Sequence, residues 1–134
     1  MRPADAPVLP LRFAPAWITM SMLLVAGLIV GSLSTDPHLS LPGRFDKLQH
    51  FGAYCFMALW FGGLFARAHF WKIGLALAAL GLSMELLQFG MHHGRQGDPL
   101  DMLANLLGIG CGLVVAWRLM AGWAPRLEAW LARD

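Results

Sequence analysis

Residues 73–89 read IGLALAALGLSMELLQF. Apart from Ser83, Glu85 and Gln88, every residue here is apolar or glycine. With its flanks the stretch reaches the ~20 residues a helix needs to cross a bilayer. It nevertheless carries a carboxylate and, three positions on, an amide. An ionisable group at the bilayer centre costs at least ~2.5–3.5 kcal/mol, and it persists where it faces protein or a water-filled cavity and has a partner. The stretch therefore predicts a transmembrane helix with one face turned to other polar groups.

The rest of the chain supports a membrane protein. Of 134 residues, 57% are hydrophobic and 13% charged, with mean hydropathy +0.57. A soluble domain of this size requires a much larger charged surface. The net charge of +2 comes from scattered basic residues, which argues against a nucleic-acid partner. Cys55 and Cys111 both fall in apolar stretches and read as small buried hydrophobes rather than a disulfide pair or metal ligands.

Four segments are long and apolar enough to span, roughly 13–33, 49–66, 70–90 and 100–120. The first has Arg2 and Arg12 ahead of it and Ser32 near a possible cleavage point, but its apolar run exceeds a typical signal core, so a retained helix is expected. Its Gly27 and Gly31 form a GxxxG pair suited to close helix packing. Arg2, Arg12, Arg67, Lys72, Arg118, Arg126 and Arg133 fall on one side of these spans, against Arg44, Lys47 and Arg95 on the other. The positive-inside rule then puts both termini in the cytoplasm. Trp17, Trp60, Trp71, Trp117, Trp123 and Trp130 all lie in the inner half or beyond it, as expected for interfacial indoles. Residues 124–133 predict a short interfacial helix, with Pro125 in its first turn and Leu127, Trp130 and Leu131 on one side. The expected fold is thus all-α: a single domain over 1–134, a four-helix transmembrane bundle, N-in and C-in, with a C-terminal interfacial helix.

This orientation gathers the polar residues at the outer ends of three helices. The second brings Asp46, Lys47, His50 and Tyr54, the third Glu85 and Gln88, and the fourth Asp98, Asp101 and Asn105, while the connecting loop adds His92, His93 and Arg95. His50 and Tyr54 share a helix face, as do Glu85 and Gln88. Asp101, Asn105, Gly108 and Gly112 form one seam, polar above and glycine below. Several of these residues also have structural readings. Asp46 with Gln49 fits a capping box, Asp98-Pro99 an N-cap followed by proline, and Asp101 a favourable first-turn acid. Glu85 and Gln88 could serve as inter-helix hydrogen-bond glue. Lys47 and Arg95 are the expected counter-charges for Glu85 and Asp101. A metal site could be assembled from His50, His92, His93, Glu85 and Asp101, but no HExxH, CxxC, Ser-His-Asp or phosphate-loop signature is present and the adjacent histidines fall in a loop, so no metal or cofactor is expected.

Three blocks of sequence, DKLQHFGAY over residues 46–54, ELLQ over 85–88 and RQGDPLDMLANLLG over 95–108, resemble the signature blocks of the VanZ-like family in order and spacing. The resemblance covers about residues 44–115. It implies a small integral protein of the bacterial cytoplasmic membrane linked to the cell envelope; the family's namesake is associated with resistance to the glycopeptide teicoplanin, and nothing in this sequence ties the chain to that role.

The expected function is a binding module. Lys47, His50, Tyr54 and Arg95 would donate to the anionic headgroup of a membrane lipid or lipid-linked envelope precursor, oriented by Glu85, Gln88, Asp101 and Asn105. Asp46, Asp98, Gly108 and Gly112 would be structural. The alternatives are docking to a membrane-protein partner or a second copy through a glycine seam, and an enzyme acting on a lipid-linked phosphate or sugar. The enzyme would use His50 or Glu85 as base and Arg95 to stabilise negative charge.

Overall fold

The computed structural model describes residues 7–34, 44–91 and 98–133. Among them are five α-helices and no strand: α1 Ala14–Leu33, α2 Arg44–Leu64, α3 Phe70–Met91, α4 Pro99–Val115 and α5 Trp123–Leu131. A short 3-10 turn, Arg67–His69, leads into α3, and a π-helical turn, Ala116–Met120, continues α4. With these extensions three segments are long and apolar enough to cross a membrane: Ala14–Leu33, Arg67–Met91 and Pro99–Met120. α2 falls short of that measure because its first two turns hold Arg44, Asp46, Lys47, Gln49 and His50.

α2 begins at Arg44, ahead of the 49–66 span read from hydropathy. Asp46 therefore lies within the first turn and is not an N-cap. An acid there is favoured by the exposed N–H groups of the helix start, so the helix extends upstream of its apolar run. Asp98 does cap: its Oδ1 accepts Leu100 N–H at 2.9 Å, with Pro99 at the first helical position.

α2 packs most extensively on α4. A Cβ at Gly108 would run into the carbonyl oxygen of Phe51, and one at Gly112 into that of Cys55. The two backbones thus touch where the seam turns to glycine. Below this crossing, Tyr54, Met57 and Ala58 of α2 meet Phe70, Ile73 and Leu77 of α3 in the core. Cys55 is half-buried and Cys111 exposed, so the reading of both as buried hydrophobes fails for Cys111, although its thiol lies within hydrogen-bond reach of Cys55 across the α2–α4 seam.

α1 has no fully buried residue, but its Leu24, Val25 and Leu28 pack partly buried against the core. Its N-terminal approach pairs with the α2–α3 turn through Leu9 N–H to Leu64 O at 2.9 Å and Ala66 N–H to Pro7 O at 3.0 Å. Beside this lies Glu128 of α5, only 6% exposed. Its carboxylate accepts from Arg12 N–H (2.7 Å), Phe13 N–H (2.8 Å) and Trp17 Nε1–H (2.7 Å). The two backbone N–H groups lie at and just before the N-cap of α1, at its positive dipole end, so a carboxylate suits them. Burial works to raise the Glu128 pKa, but the three N–H groups outweigh it and hold the carboxyl below its ordinary value.

The tryptophans divide into two sets. Trp71, Trp117 and Trp130 are exposed, as interfacial indoles should be. Trp17, Trp60 and Trp123 instead pack together at 5.4–5.6 Å between ring centroids, joining α1, α2 and α5. All three N–H groups are satisfied internally: Trp17 Nε1 donates to Glu128, Trp60 Nε1 to Ser21 Oγ (2.9 Å) and Trp123 Nε1 to Leu59 O (3.1 Å). Hydropathy placed these three at the interface; their ring contacts make them an inter-helix joint.

Candidate functional site

The other end of the molecule holds the polar residues. The α2–α4 crossing fixes its geometry, because the carbonyls lying against Gly108 and Gly112 bring His50 of α2 beside Asn105 of α4. His50 Nδ1 and Asn105 Oδ1 are 3.1 Å apart, and Asn105 is 1% exposed. An amide oxygen only accepts, so Nδ1 carries the hydrogen. His50 Nε2 then faces two carboxylates, Asp46 Oδ1 and Asp101 Oδ2, each at 3.9 Å.

Lys47, one position from Asp46, reaches across to α4. Its ammonium lies 2.5 Å from both Asp98 Oδ2 and Asp101 Oδ1. The hydrogen bond to Asp101, and then that to Asp98, holds the ammonium above the usual lysine range. The same contact, with help from Leu100 N–H, holds Asp98 below the usual aspartate range. Asp98 is therefore both a cap and an ion-pair partner, and its own N–H donates to Glu85 Oε2 at 3.1 Å.

That bond fixes Glu85 against the cluster. The residue is 8% exposed and interacts electrostatically with Asp101 and His50. Its second oxygen, Oε1, is buried without a hydrogen-bond partner. The Tyr54 hydroxyl, one turn below His50 and close enough to feel the Glu85 charge, is likewise buried and unpaired. Gly81 makes room for it: a Cβ there would stand 3.3 Å from Tyr54 Oη and 3.2 Å from Asn105 Nδ2. A cleft of about 150 Å³ opens beside these groups between α1 and α2, lined by Gly31, Ser32, Gln49, His50 and Tyr54 among others.

The structure thus brings Asp46, Lys47, His50, Glu85, Asp98, Asp101 and Asn105 into one network, with Tyr54 at its floor. Gln88 serves differently: its Nε2 donates to Ser32 O at 2.6 Å, tying α3 to the last turn of α1. Arg95, His92 and His93 lie outside the described residues. Lys47 is the expected counter-charge of Asp101, but its second partner is Asp98 rather than Glu85. Sequence reasoning missed two residues. Gly81 was legible as the position one turn before Glu85 on the same face. Glu128 lay on an amphipathic tail helix, and nothing local marked it as the group that receives α1.

The chain matches no protein-family model, no curated protein and no solved structure. Its function therefore has to be argued from this geometry.

Proposed function

We propose that the chain is a VanZ-like integral membrane protein of the bacterial cell envelope that binds the headgroup of a lipid or lipid-linked envelope precursor. In this reading α1 to α4 form a four-helix transmembrane bundle in the cytoplasmic membrane, with both termini in the cytoplasm and the polar cluster facing outward. The grouping of the N-terminal segment, the α2–α3 turn and α5 at one end supports that orientation, since most of the Lys and Arg residues lie there. α2 can be less apolar than its neighbours because α4 and α3 cover its polar turns.

The observation that carries the reading is the unpaired couple at the floor of the site, Glu85 Oε1 and the Tyr54 hydroxyl. A buried polar group left without a partner costs about 1–3 kcal/mol, and more in hydrocarbon. Tyr54 lines the cleft and Glu85 does not, and together the two unpaired atoms are a demand for a ligand that both donates and accepts hydrogen bonds. Headgroup hydroxyls and amines meet that demand at Glu85. A phosphate reaches Lys47 only by displacing one of its two carboxylates, so the donors available to an anion are fewer than the sequence suggests.

The test is native mass spectrometry of the protein released from lipid nanodiscs. Wild type should retain a bound lipid, and Glu85→Gln and Tyr54→Phe should lose it while keeping their helical circular dichroism. Lipid-free wild type, or equal retention in both variants, would refute the reading. A docking role has its own supporting observation: nothing lies within 4 Å of a Cβ placed at Gly27 of α1, which leaves room there for the close approach of another helix. Site-specific crosslinking from α1 would reveal such a partner or a second copy.

A further inference from the structure

We infer that Asp46, His50 and Asp101 form a divalent-cation site whose donors suit Zn²⁺ or Mn²⁺. One ligand atom from each lies within 4.8 Å of the others. Nitrogen and oxygen ligands sit at about 2.0–2.2 Å from such an ion, so two of them across it stand up to about 4 Å apart. His50 Nε2 is 3.9 Å from a carboxylate oxygen on either side. One imidazole with two carboxylates matches the preferences of zinc and manganese, whereas calcium wants six to eight oxygens.

The surroundings are those a ligating histidine requires. A metal-bound imidazole nearly always donates its other ring N–H to a fixed acceptor. Asn105 Oδ1 takes the Nδ1 hydrogen here, which leaves the Nε2 lone pair available on the nitrogen that lies 3.9 Å from an oxygen of each aspartate. Lys47 occupies Asp101 Oδ1 and leaves Oδ2 for the ion.

A separate observation also points to a ligand. Glu85 is more than nine-tenths buried, lies against the cluster through Asp98 N–H, and has one oxygen with no partner. The Tyr54 hydroxyl beside it is unpaired too. A cation carrying bound water gives both of them a partner, and three protein ligands leave coordination positions open for that water. An ion with open positions would also give the acid-rich site an affinity for phosphate oxygens. The inference does not depend on the headgroup reading.

The experiment is titration of the full-length protein in detergent micelles, free of any affinity tag and of added lipid, with Zn²⁺ alone and Mn²⁺ alone. Calorimetry should show one ion per chain, and Co²⁺ in place of zinc should give a visible d–d spectrum. Asp46→Asn, at a partly exposed position that leaves the core intact, should weaken binding by at least about tenfold. His50→Gln should abolish the cobalt spectrum, while a His92→Ala/His93→Ala variant should bind as wild type does. Absence of stoichiometric binding, equal affinity in Asp46→Asn, or loss of binding in the His92/His93 variant would each overturn the assignment. Because no lipid is present, failure here leaves the lipid-retention result to stand or fall separately.

Discussion

Two glycines on α4, two residues apart, make the α2–α4 contact measurable. Gly108 faces the carbonyl oxygen of Phe51, with Cys55 N 3.1 Å from where its Cβ would be, whereas Gly110 has nothing within 4 Å of an added Cβ. Replacing either by alanine brings the same helix-propensity gain, about 1 kcal/mol. Gly110→Ala should show that gain undiminished. Gly108→Ala must also push apart two backbones that cannot yield as a flexible side chain would, an overpacking cost of about 1–3 kcal/mol. Comparing the two variants cancels propensity and leaves the steric cost. For a chain of this length 1 kcal/mol corresponds to about 3–5 °C in Tm, so Gly108→Ala should melt about 3–15 °C below Gly110→Ala. Tryptophan fluorescence during thermal unfolding in one detergent gives the comparison. Equal melting temperatures would mean that the helices do not touch at Gly108, and the juxtaposition of His50 and Asn105 would lose its foundation.

The same reasoning extends to the floor of the site and to the opposite end. Gly81→Ala puts a methyl 3.2–3.3 Å from Asn105 Nδ2 and Tyr54 Oη, so each must move by a few tenths of an ångström. The expected stability cost is modest, about 1 kcal/mol, while lipid retention in nanodiscs should fall; unchanged retention would remove the Tyr54 hydroxyl from the site. At the other end, the folded-state pKa of Glu128 lies below its ordinary 4.5. Its stabilising contribution is therefore complete above about pH 4.5 and is lost as pH falls through the lower, folded-state value. Hydrogen exchange at the Arg12 and Phe13 amides should accelerate on acidification through that range, beyond the intrinsic pH trend. Glu128→Gln should already exchange faster at pH 7 and lack the acid transition. Matching profiles in the two proteins would show that the carboxylate does not hold α1.

The all-helical class was legible because hydropathy over windows near 20 residues reports a simple length constraint. Much of the site was legible for a related reason. Polar groups cannot be scattered in a spanning helix without cost, so Glu85 had to have company, and the spacing of His50, Asp101 and Asn105 supplied it. Which group pairs with which was not legible. Lys47 lies one residue from Asp46 and yet reaches Asp98 and Asp101, because the glycine crossing brings α4 within its length. Gln88 has the right depth and face but meets the Ser32 carbonyl first. The tryptophans mislead for the opposite reason. Composition reports that an indole tolerates an interface, whereas only packing shows that Trp17, Trp60 and Trp123 are joined to one another.

Both ends of the molecule hold a buried carboxylate, and both keep a buried polar atom unpaired, His69 Nδ1 at the α2–α3 turn among them. At the α5 end, Glu128 has three donors on its two oxygens, and the Trp60 and Trp123 indoles reach acceptors on neighbouring helices. At the other end, Glu85 and Tyr54 each keep a buried atom unpaired. α1 is tied at both ends, through Glu128 and through Gln88, and between them Leu24, Val25 and Leu28 pack partly buried against the core while Ser21 Oγ accepts from Trp60 Nε1–H. Gly27 and Gly31 line the cleft beside His50 and Tyr54, and a Cβ on either would meet nothing within 4 Å. Larger side chains there would narrow the cleft while leaving these contacts intact, so Gly27→Leu should lower lipid retention if the proposed headgroup enters on this side, and unchanged retention would place its entry elsewhere.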